Sequence, residues 1–493
     1  MEKDIEKIIS LCKRRGIVFP SSEIYGGFGS SYDFGPLGVE LKRNIKNSWW
    51  KEMVQLHKDI VGLDAAILMS PKVWKASGHL SVGFADELVE CKKCHKRFRL
   101  DEIANSKSQA PNSKQIPNSK FQIQNLRCPE CGGKLLPPRK FNLMMKTFVG
   151  PVENESSVAY LRAETCQGIY VNFKNVMNAM RLKLPFGIAQ IGKSFRNEIT
   201  PKNFIFRTRE FEQMEMQFFV APPKSKLKIK NEKLKISVPA SAGASAGRQS
   251  AKFKDPDEWF EYWKNERLNW YIKLGIKKEN LRAREVPEEE RAHYAKRQVD
   301  IEYKFPFGWK EIEGIHNRGD WDLSRHSQFS GQDLSYTDPE TGEKFIPWII
   351  ETSVGVERSL LAFLCEAYCE VKGGRTMTTK STKEVEVVLK LHKKLAPIKV
   401  AVLPLVRNKE AIVKKAKEVF ELLKPHFMCQ YDEVGSIGRR YRRQDEIGTP
   451  FCVTIDFDTL KQNDVTVRDR DTMEQERVKV EELVAYLEAK LKE

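Results

Sequence analysis

The sequence predicts an α+β body of paired strands and helices, followed by a smaller α/β domain. Three stretches carry this expectation. The first, GKSFRNEITPKNFIFRTREFEQMEM from Gly192 to Met216, reads as two short strands joined by a turn-rich loop. Phe195-Arg196-Asn197-Glu198 ends the first strand, and Thr200-Pro201-Lys202-Asn203 has turn chemistry, because Pro fixes φ and Asn tolerates tight turns. Phe204-Ile205-Phe206 then opens the return strand, whose polar and apolar residues alternate through Phe211, Met214 and Met216. The second, PWIIETSVGVERSLLAFL at 347–364, reads as a strand, a tight Gly turn and a helix. The third begins at Pro397. KVAVLPL is a buried strand, residues 409–423 a helix, DVTVRDRDTMEQERV is hairpin-like, and a final helix starts near Val480. That strand–helix–strand order suggests a small domain with a mixed sheet.

Length and composition bound the rest. A chain of 493 residues suggests about three domains, and 41% hydrophobic residues suffice for sizeable cores. Ten cysteines in this length do not make a disulfide-dense composition. The start, MEKDIEKIIS, is charged from its second residue and has no signal-peptide apolar region. No uncharged apolar run reaches the roughly 18 residues of a membrane helix. The expectation is a soluble, cytoplasmic protein with reduced thiols and no membrane partner. The net charge of +17 is weak evidence for nucleic acid, because two low-complexity segments, 105–127 and 221–254, supply +12 of it.

In chain order, residues 1–20 form a short amphipathic helix, with Ile5, Ile8, Ile9 and Leu11 at near-helical spacing. A loop with Gly26, Gly27 and Gly29 leads through Tyr32-Asp33-Phe34-Gly35-Pro36 into a helix from about Val39 to Val54. A Gly-rich loop before a helix can cradle phosphate, but this one lacks the Lys-Ser/Thr of a P-loop and the GxGxxG spacing. Trp49-Trp50 suits either a buried interface or ordinary core. His79, beside a glycine, reads as structural. Cys91-x-x-Cys94 and Cys128-x-x-Cys131 form two knuckles, and two such turns complete a closed tetrahedral zinc site. A redox CxxC is the other reading, but redox motifs rarely come as two facing turns. Between the pairs, Asn-Ser-Lys occurs three times in a polar, Pro-interrupted run, expected to be a disordered extension. Residues 221–254, with Lys-Leu-Lys-Ile twice, read as a second disordered insertion or as a basic arm for RNA.

Chemistry-bearing residues cluster in the hairpins. Arg196, Glu198, Arg207 and Arg209 can converge on one polyanion, since guanidinium forks suit phosphate oxygens. A surface hairpin with solvated charges fits the spacing equally well. Residues 299–315 alternate as a strand pair around Pro306-Phe307-Gly308, which puts Glu311 and Glu313 on one face. Paired carboxylates near phosphate can hold Mg²⁺, and solvated strand charge is the alternative. Cys166 reads as a small packed residue. Arg318 and Asp320 fall in a loop. Residues 372–383, with Gly373-Gly374 and four Thr, read as a linker. Arg439, Arg440, Arg442 and Arg443 suit RNA phosphates or stacked bases, or else a solvated turn.

These stretches resemble a known family. FRNE followed by FRTREFEQME resembles motif 2 of class II aminoacyl-tRNA synthetases in the wording of glycyl-tRNA synthetases. YDFGPLG resembles the lead into motif 1, and Gly355-Val356-Glu357-Arg358 resembles the core of motif 3. LRAETCQG resembles the family's RPETAQG, with Ala163 for Pro and Cys166 for Ala, and Thr352 stands where the family usually has Pro. SIGRRYRRQDEIGTPFCVT and VTVRDRD resemble the family's anticodon-binding domain. The resemblance covers nearly all of the chain outside the two insertions.

It implies a class II catalytic domain built on an antiparallel sheet flanked by helices, over 1–90 and 132–375. It also implies a zinc-binding insertion at 91–131, a low-complexity insertion at 221–254, a linker at 376–395 and an anticodon-binding domain at 396–493. The implied reaction joins glycine and ATP as glycyl-adenylate and transfers glycine to the 3′ end of tRNA(Gly), in a homodimer, with Mg²⁺ and a structural Zn²⁺. Arg196 would steady the α-phosphate, Arg207 the bent pyrophosphate and Arg358 the γ-phosphate, with Glu311 on Mg²⁺. ATP contacts would extend over Asn197, Glu198, Phe206, Thr208, Arg209, Glu210 and Phe211, and over Ile312, Gly355, Val356 and Glu357. Glu164, Glu215 and Glu351 would surround the glycine ammonium, with Ser353 beside them. Phe211, Glu212, Gln213 and Met214 would flank glycine, as would Thr352, Val354 and Gly355, and Arg99 would reach in from the insertion.

Overall fold

The computed structural model describes residues 4–81, 84–100, 103, 126–199, 203–223, 255–372 and 385–492. Most of the two low-complexity segments, the Thr200–Lys202 turn and the linker core at 373–384 lie outside the described residues.

Seven strands build the central sheet: β1 (Ile60–Gly62), β2 (Phe186–Phe195), β3 (Glu210–Val220), β4 (Leu281–Glu285), β5 (Arg297–Phe305), β6 (Gly308–Gly319) and β7 (Trp348–Gly355). Their order is β4-β5-β6-β7-β3-β2-β1. Every neighbouring pair is antiparallel except β1 with β2. Alternation along β3 sends Met214, Met216 and Phe218 into the core under the helices and Gln213, Glu215 and Gln217 to the opposite face.

Nine helices concern the argument: α1 (Ile5–Arg14), α2 (Pro36–Trp50), α3 (Cys166–Val171), α4 (Pro256–Lys273), α5 (Trp321–Ser330), α6 (Val356–Ala367), α7 (Glu410–Leu423), α8 (Ile437–Ile447) and α9 (Leu483–Lys492). Asp4 caps α1 by accepting from the Glu6 amide at 2.9 Å, and Asp255 caps α4 in the same way. Pro36 opens α2 at the position where its missing N–H costs nothing. At Gly38 a Cβ would lie 1.9 Å from the Ile17 carbonyl oxygen, so only glycine lets α2 approach the backbone at Ile17. Helices α2, α4 and α6 cover one sheet face with a core that includes Trp49, Trp259, Trp263, Trp270 and Leu360. Trp49 is thus spent in the chain's own core, and Trp50 packs on Gly62. On the other face α3 and α5 leave the middle of the sheet open.

The second domain has β8 (Val400–Pro404), β9 (Cys429–Tyr431), β10 (Phe451–Ile455), β11 (Asp464–Asp469) and β12 (Gln475–Lys479), in the order β9-β8-β10-β11-β12. The first two pairings are parallel and the last two antiparallel, the expected mixed sheet. Helices α7 and α9 pack Ile412, Val419, Leu483 and Leu487 into its core. The domain meets the catalytic body through Arg15, whose Nε donates to Glu446 at 2.6 Å.

Four expectations change. Phe204–Phe206 is a single 3₁₀ turn, not strand, because Asn203 and Phe204 have φ of 63° and 57°, which no strand allows. The strand begins at Glu210. Val385–Leu389, expected within the linker, pairs antiparallel with Tyr368–Lys372. The sheet that carries the cysteines spans Ala85–Glu90, Arg97–Arg99 and Arg139–Asn142, wider than 91–131. Finally, the arginine-rich run is helix α8: Arg440 is buried, Arg442 pairs with Glu386 and Arg443 with Asp432, while Arg439 is exposed.

Candidate active site

The open middle of the sheet holds a cavity of about 230 Å³, walled by β3, β6 and β7 and roofed by the loop before β3. Its two ends differ in chemistry. One end is carboxylate-rich. Glu164 enters from the turn before α3, Glu215 from β3, and Glu351 from β7, with Ser353 directly opposite Glu215 in the ladder. Gln213 lines the same wall.

Each carboxylate has a different supporting set. Glu351 accepts from Arg318 Nη1 at 3.0 Å, from Gln217 Nε2 at 2.8 Å, and lies 2.8 Å from His316 Nδ1. Burial opposes its ionisation, but Arg318 and His316 outweigh burial and hold its pKa below the usual range. Glu164 is also held well below that range, again against burial, by His79 and Arg318. Among the described residues, the Glu215 carboxylate accepts from the hydroxyls of Thr165 and Ser353 alone. Burial and the charges of Glu351 and Glu164 push its pKa up to about 8. Three carboxylates thus face one cavity, and Arg318 is the cation shared by two of them, Glu351 and Glu164. That guanidinium is divided with Asp322, which it grips at 2.6 and 2.9 Å. A small ammonium is the complement this end lacks.

The other end is cationic and aromatic. Arg196 lies with its guanidinium 5.4 Å from the Phe211 ring and donates to the Ala163 carbonyl at 3.2 Å. Arg358, at the start of α6, lies 4.7 Å from the Phe206 ring and donates to the carbonyls of Phe206 and Glu311, each at 3.3 Å. Glu311 stands on the rim, its carboxylate 3.3 Å from Arg358. Arg207, Glu198, Thr208, Ile312, Gly355 and Glu357 complete this half.

Several expected residues lie elsewhere. Strand alternation turns Met214 and Val354 into the core on the helix side, and Thr352 is wholly buried without reaching the cavity. Glu212 leaves with them and pairs with Lys42 and Lys46. Val356 is buried in the core at the start of α6. Asn197 donates its amide to Leu143, Arg209 caps the Gly29 carbonyl at 2.7 Å, and Glu210 pairs with Lys193 on the surface. Arg99 pairs with Asp86 at 2.9 Å within the cysteine-bearing sheet and does not line the cavity. Glu311 and Glu313 do not share a face. A bulge at Ile312 breaks the register, so Glu311 meets the cavity while Glu313 turns behind the sheet to Arg267 at 2.6 Å. Arg318, expected in a loop, lies within β6, and His79, read as structural, reaches Glu164, while nothing in the sequence singled out His316 and Tyr294, which line the cavity. The run His316-Asn317-Arg318 inside a strand was the available signal, since polar residues on both faces of a central strand need buried partners.

The four cysteines converge. Their Sγ atoms all lie within 4.8 Å of one another, with Cys91 to Cys131 at 3.5 Å and Cys94 to Cys128 at 3.7 Å. Tetrahedral zinc with Zn–S near 2.3 Å requires S···S of about 3.8 Å, so the set fits. Lys93 and Cys94 amides point at Cys91 Sγ at 3.3 and 3.5 Å, the second-sphere pattern of a thiolate.

Comparison with known proteins accords with this geometry. Residues 150–236 match the tRNA synthetase class II core domain (G, H, P, S and T), and residues 399–490 match the anticodon binding domain. The chain is 51% identical to glycine–tRNA ligase of Thermobifida fusca, over 99% of this chain and 98% of that one. It is 50% identical to glycine–tRNA ligase of Treponema denticola, over 99% and 97%. The crystal structure of prolyl-tRNA synthetase from Cryptosporidium parvum superposes with a TM-score of 0.59, covering 98% of this chain and 76% of that one at 14% identity, which speaks to fold alone. The mostly antiparallel sheet with its matched core domain, joined to a matched anticodon binding domain, makes the chain a class II aminoacyl-tRNA synthetase. Within that class, the chain belongs to the glycine–tRNA ligase family. No described helix is long and apolar enough to cross a membrane.

Proposed function

We propose that this cavity activates glycine with ATP and passes the glycyl group to the 3′ end of tRNA(Gly). The observation that carries the assignment is the pairing of three carboxylates, two of them buried, with two arginines across one small cavity. Glycine offers nothing but its two charged ends. The carboxylates Glu164, Glu215 and Glu351 would hold the ammonium, and the carboxylate would then lie toward Arg196. From there it attacks the α-phosphorus directly, so no side-chain nucleophile is needed. The protein's contribution is alignment and charge stabilisation. Arg196 would steady the α-phosphate, Arg207 the bent pyrophosphate and Arg358 the γ-phosphate, assisted by the N-terminal end of α6. Phe206 and Phe211 offer faces to adenine. Glu311, a half-exposed carboxylate on the cationic rim, has the oxygen chemistry to hold Mg²⁺, which would neutralise the leaving pyrophosphate. Rejection of larger amino acids follows from filled space, since overpacking by a methyl costs roughly 1–3 kcal/mol.

The same reading gives the four cysteines a structural zinc and the second domain the anticodon arm. It also takes the working unit to be a homodimer in the cytoplasm, which sedimentation of the purified protein would measure. ATP–pyrophosphate exchange with glycine and alanine tests the core of it. Exchange should depend on glycine and fail with alanine. Arg196→Ala should lose about 3–4 kcal/mol of transition-state stabilisation, and near-normal exchange in that variant would remove its assigned role.

A further inference from the structure

The cysteine-bearing sheet is inserted into the catalytic body through two strands, and both ends of that stem abut the active site. Where the chain enters, Phe84 precedes the strand Ala85–Glu90. Where it leaves, Asn142 ends the strand Arg139–Asn142, and Leu143 follows. The Leu143 amide donates to the Phe84 carbonyl at 3.3 Å, tying entry to exit, and the Leu143 carbonyl accepts the Asn197 amide at 2.8 Å, tying the exit to motif 2.

His79 sits at this junction and is buried. Its ring lies 4.5 Å from the Phe84 ring at a tilt of 54° and meets Trp74 edge-on at 5.3 Å. Its carbonyl accepts from Asn142 Nδ2 at 2.9 Å. Ser77 Oγ lies 2.8 Å from Nδ1, and Glu164 Oε1 lies 3.3 Å from Nε2. An ionised Glu164 carboxylate only accepts, so the ring proton faces it from Nε2, and Nδ1 takes the Ser77 hydroxyl, whose other acceptor, the Trp74 carbonyl, is farther away at 3.4 Å. The Phe84 ring also meets Arg196, whose guanidinium lies 5.8 Å from it. One histidine and one phenylalanine therefore stand between the cysteine-bearing sheet and the two ends of the substrate cavity.

We infer that His79 and Phe84 are positioning residues: His79 orients the Glu164 carboxylate for the glycine ammonium, and Phe84 seats both His79 and Arg196 on the stem of the cysteine-bearing sheet. Neither touches substrate. His79 acts through Glu164 alone, so its removal bears on glycine and not on ATP. Phe84 acts through two residues, so its removal bears on both. The inference rests on the roles proposed above for Glu164 and Arg196.

The test is pyrophosphate exchange with the full chain, varying glycine and ATP separately, for His79→Leu, His79→Gln, Phe84→Ala and Glu164→Gln, each beside a thermal melt. His79→Leu should raise the KM for glycine at least about fivefold and leave that for ATP within about twofold. His79→Gln, which keeps an N–H able to reach Glu164, should recover to within about twofold of the parent. Phe84→Ala should raise the glycine KM and also lower kcat. A glycine KM unchanged in His79→Leu, equal impairment in the Leu and Gln variants, or glycine and ATP constants rising together would each overturn the positioning role. Glu164→Gln separates this from the underlying reading: if it leaves the glycine KM unchanged, the ammonium site itself is misassigned. If it raises the KM while His79→Leu does not, the positioning inference alone fails.

Discussion

Replacing Arg318 by methionine keeps an unbranched side chain reaching about as far as Nε and removes its charge. Arg318 is 1% exposed, and its guanidinium grips both oxygens of Asp322, reaches Glu351 and lies 3.6 Å from the Tyr294 ring. Removing one member of such a buried pair leaves uncompensated charge and costs about 3–5 kcal/mol, a large part of a typical total stability of about 5–15 kcal/mol. Burial raises the pKa of Asp322 even with Arg318 beside it. Without that cation the carboxyl takes up a proton in the folded state at a pH where the unfolded chain has lost it. A folded-state pKa raised above the unfolded value gives stability at low pH that is lost as pH rises through the folded value. The deficit of Arg318→Met should therefore be larger near pH 8 than near pH 5.5. Urea unfolding followed by tryptophan fluorescence reads the right domain, since all nine tryptophans precede residue 349. A loss below about 1 kcal/mol, or one equal at both pH values, would show that Arg318 is not the electrostatic keystone of the cavity.

Glu215→Gln should raise the KM for glycine at least tenfold, about 1.4 kcal/mol, with the KM for ATP nearly unchanged; the reverse pattern would move Glu215 to the nucleotide site. In the parent protein Glu215, with a pKa pushed up to about 8, must ionise to take an ammonium, so glycine affinity should improve as pH rises toward 8 and level off above it. Calorimetry of glycine binding at pH 7 in buffers of different ionisation enthalpy should register proton release, and buffer-independent heats would contradict the coupling. Cys128→Ser should lower the zinc content from one per chain and the stability of the cysteine-bearing sheet, measured by atomic emission and thiol alkylation; unchanged metal content would exclude Cys128 as a ligand.

Alternation through Phe211, Met214 and Met216 makes β3 legible in the sequence, the strand–Gly–helix run does so for β7, and paired CxxC spacing for the four cysteines. The residues missed share a cause: their partners lie far along the chain or past an irregularity. Arg318 looks like a loop charge because it sits at a register break near the end of β6, and one of its partners, Glu351, belongs to another strand. Glu311 and Glu313 follow the two-residue rule until the bulge at Ile312 parts them. His79 has no local sign of its role, since Glu164 comes from the far side of the whole insertion. The turn at Phe204 defeats its own composition: three consecutive apolar residues favour a strand, but the left-handed backbone at Asn203 and Phe204 forbids it.

The short edge strand β1 has a consequence for synthesis on the ribosome. Its partner β2 starts at Phe186, so Ile60 emerges long before the residues it pairs with. At about 5–20 residues per second the wait is on the order of 10 s. The segment that emerges meanwhile contains the four cysteines, whose contacts are local to residues 85–142. That sheet can therefore be complete before the central sheet has a second strand. Its closed stem then brings Phe84 and Leu143 together, which shortens the loop that must close when β2 arrives to dock against β1.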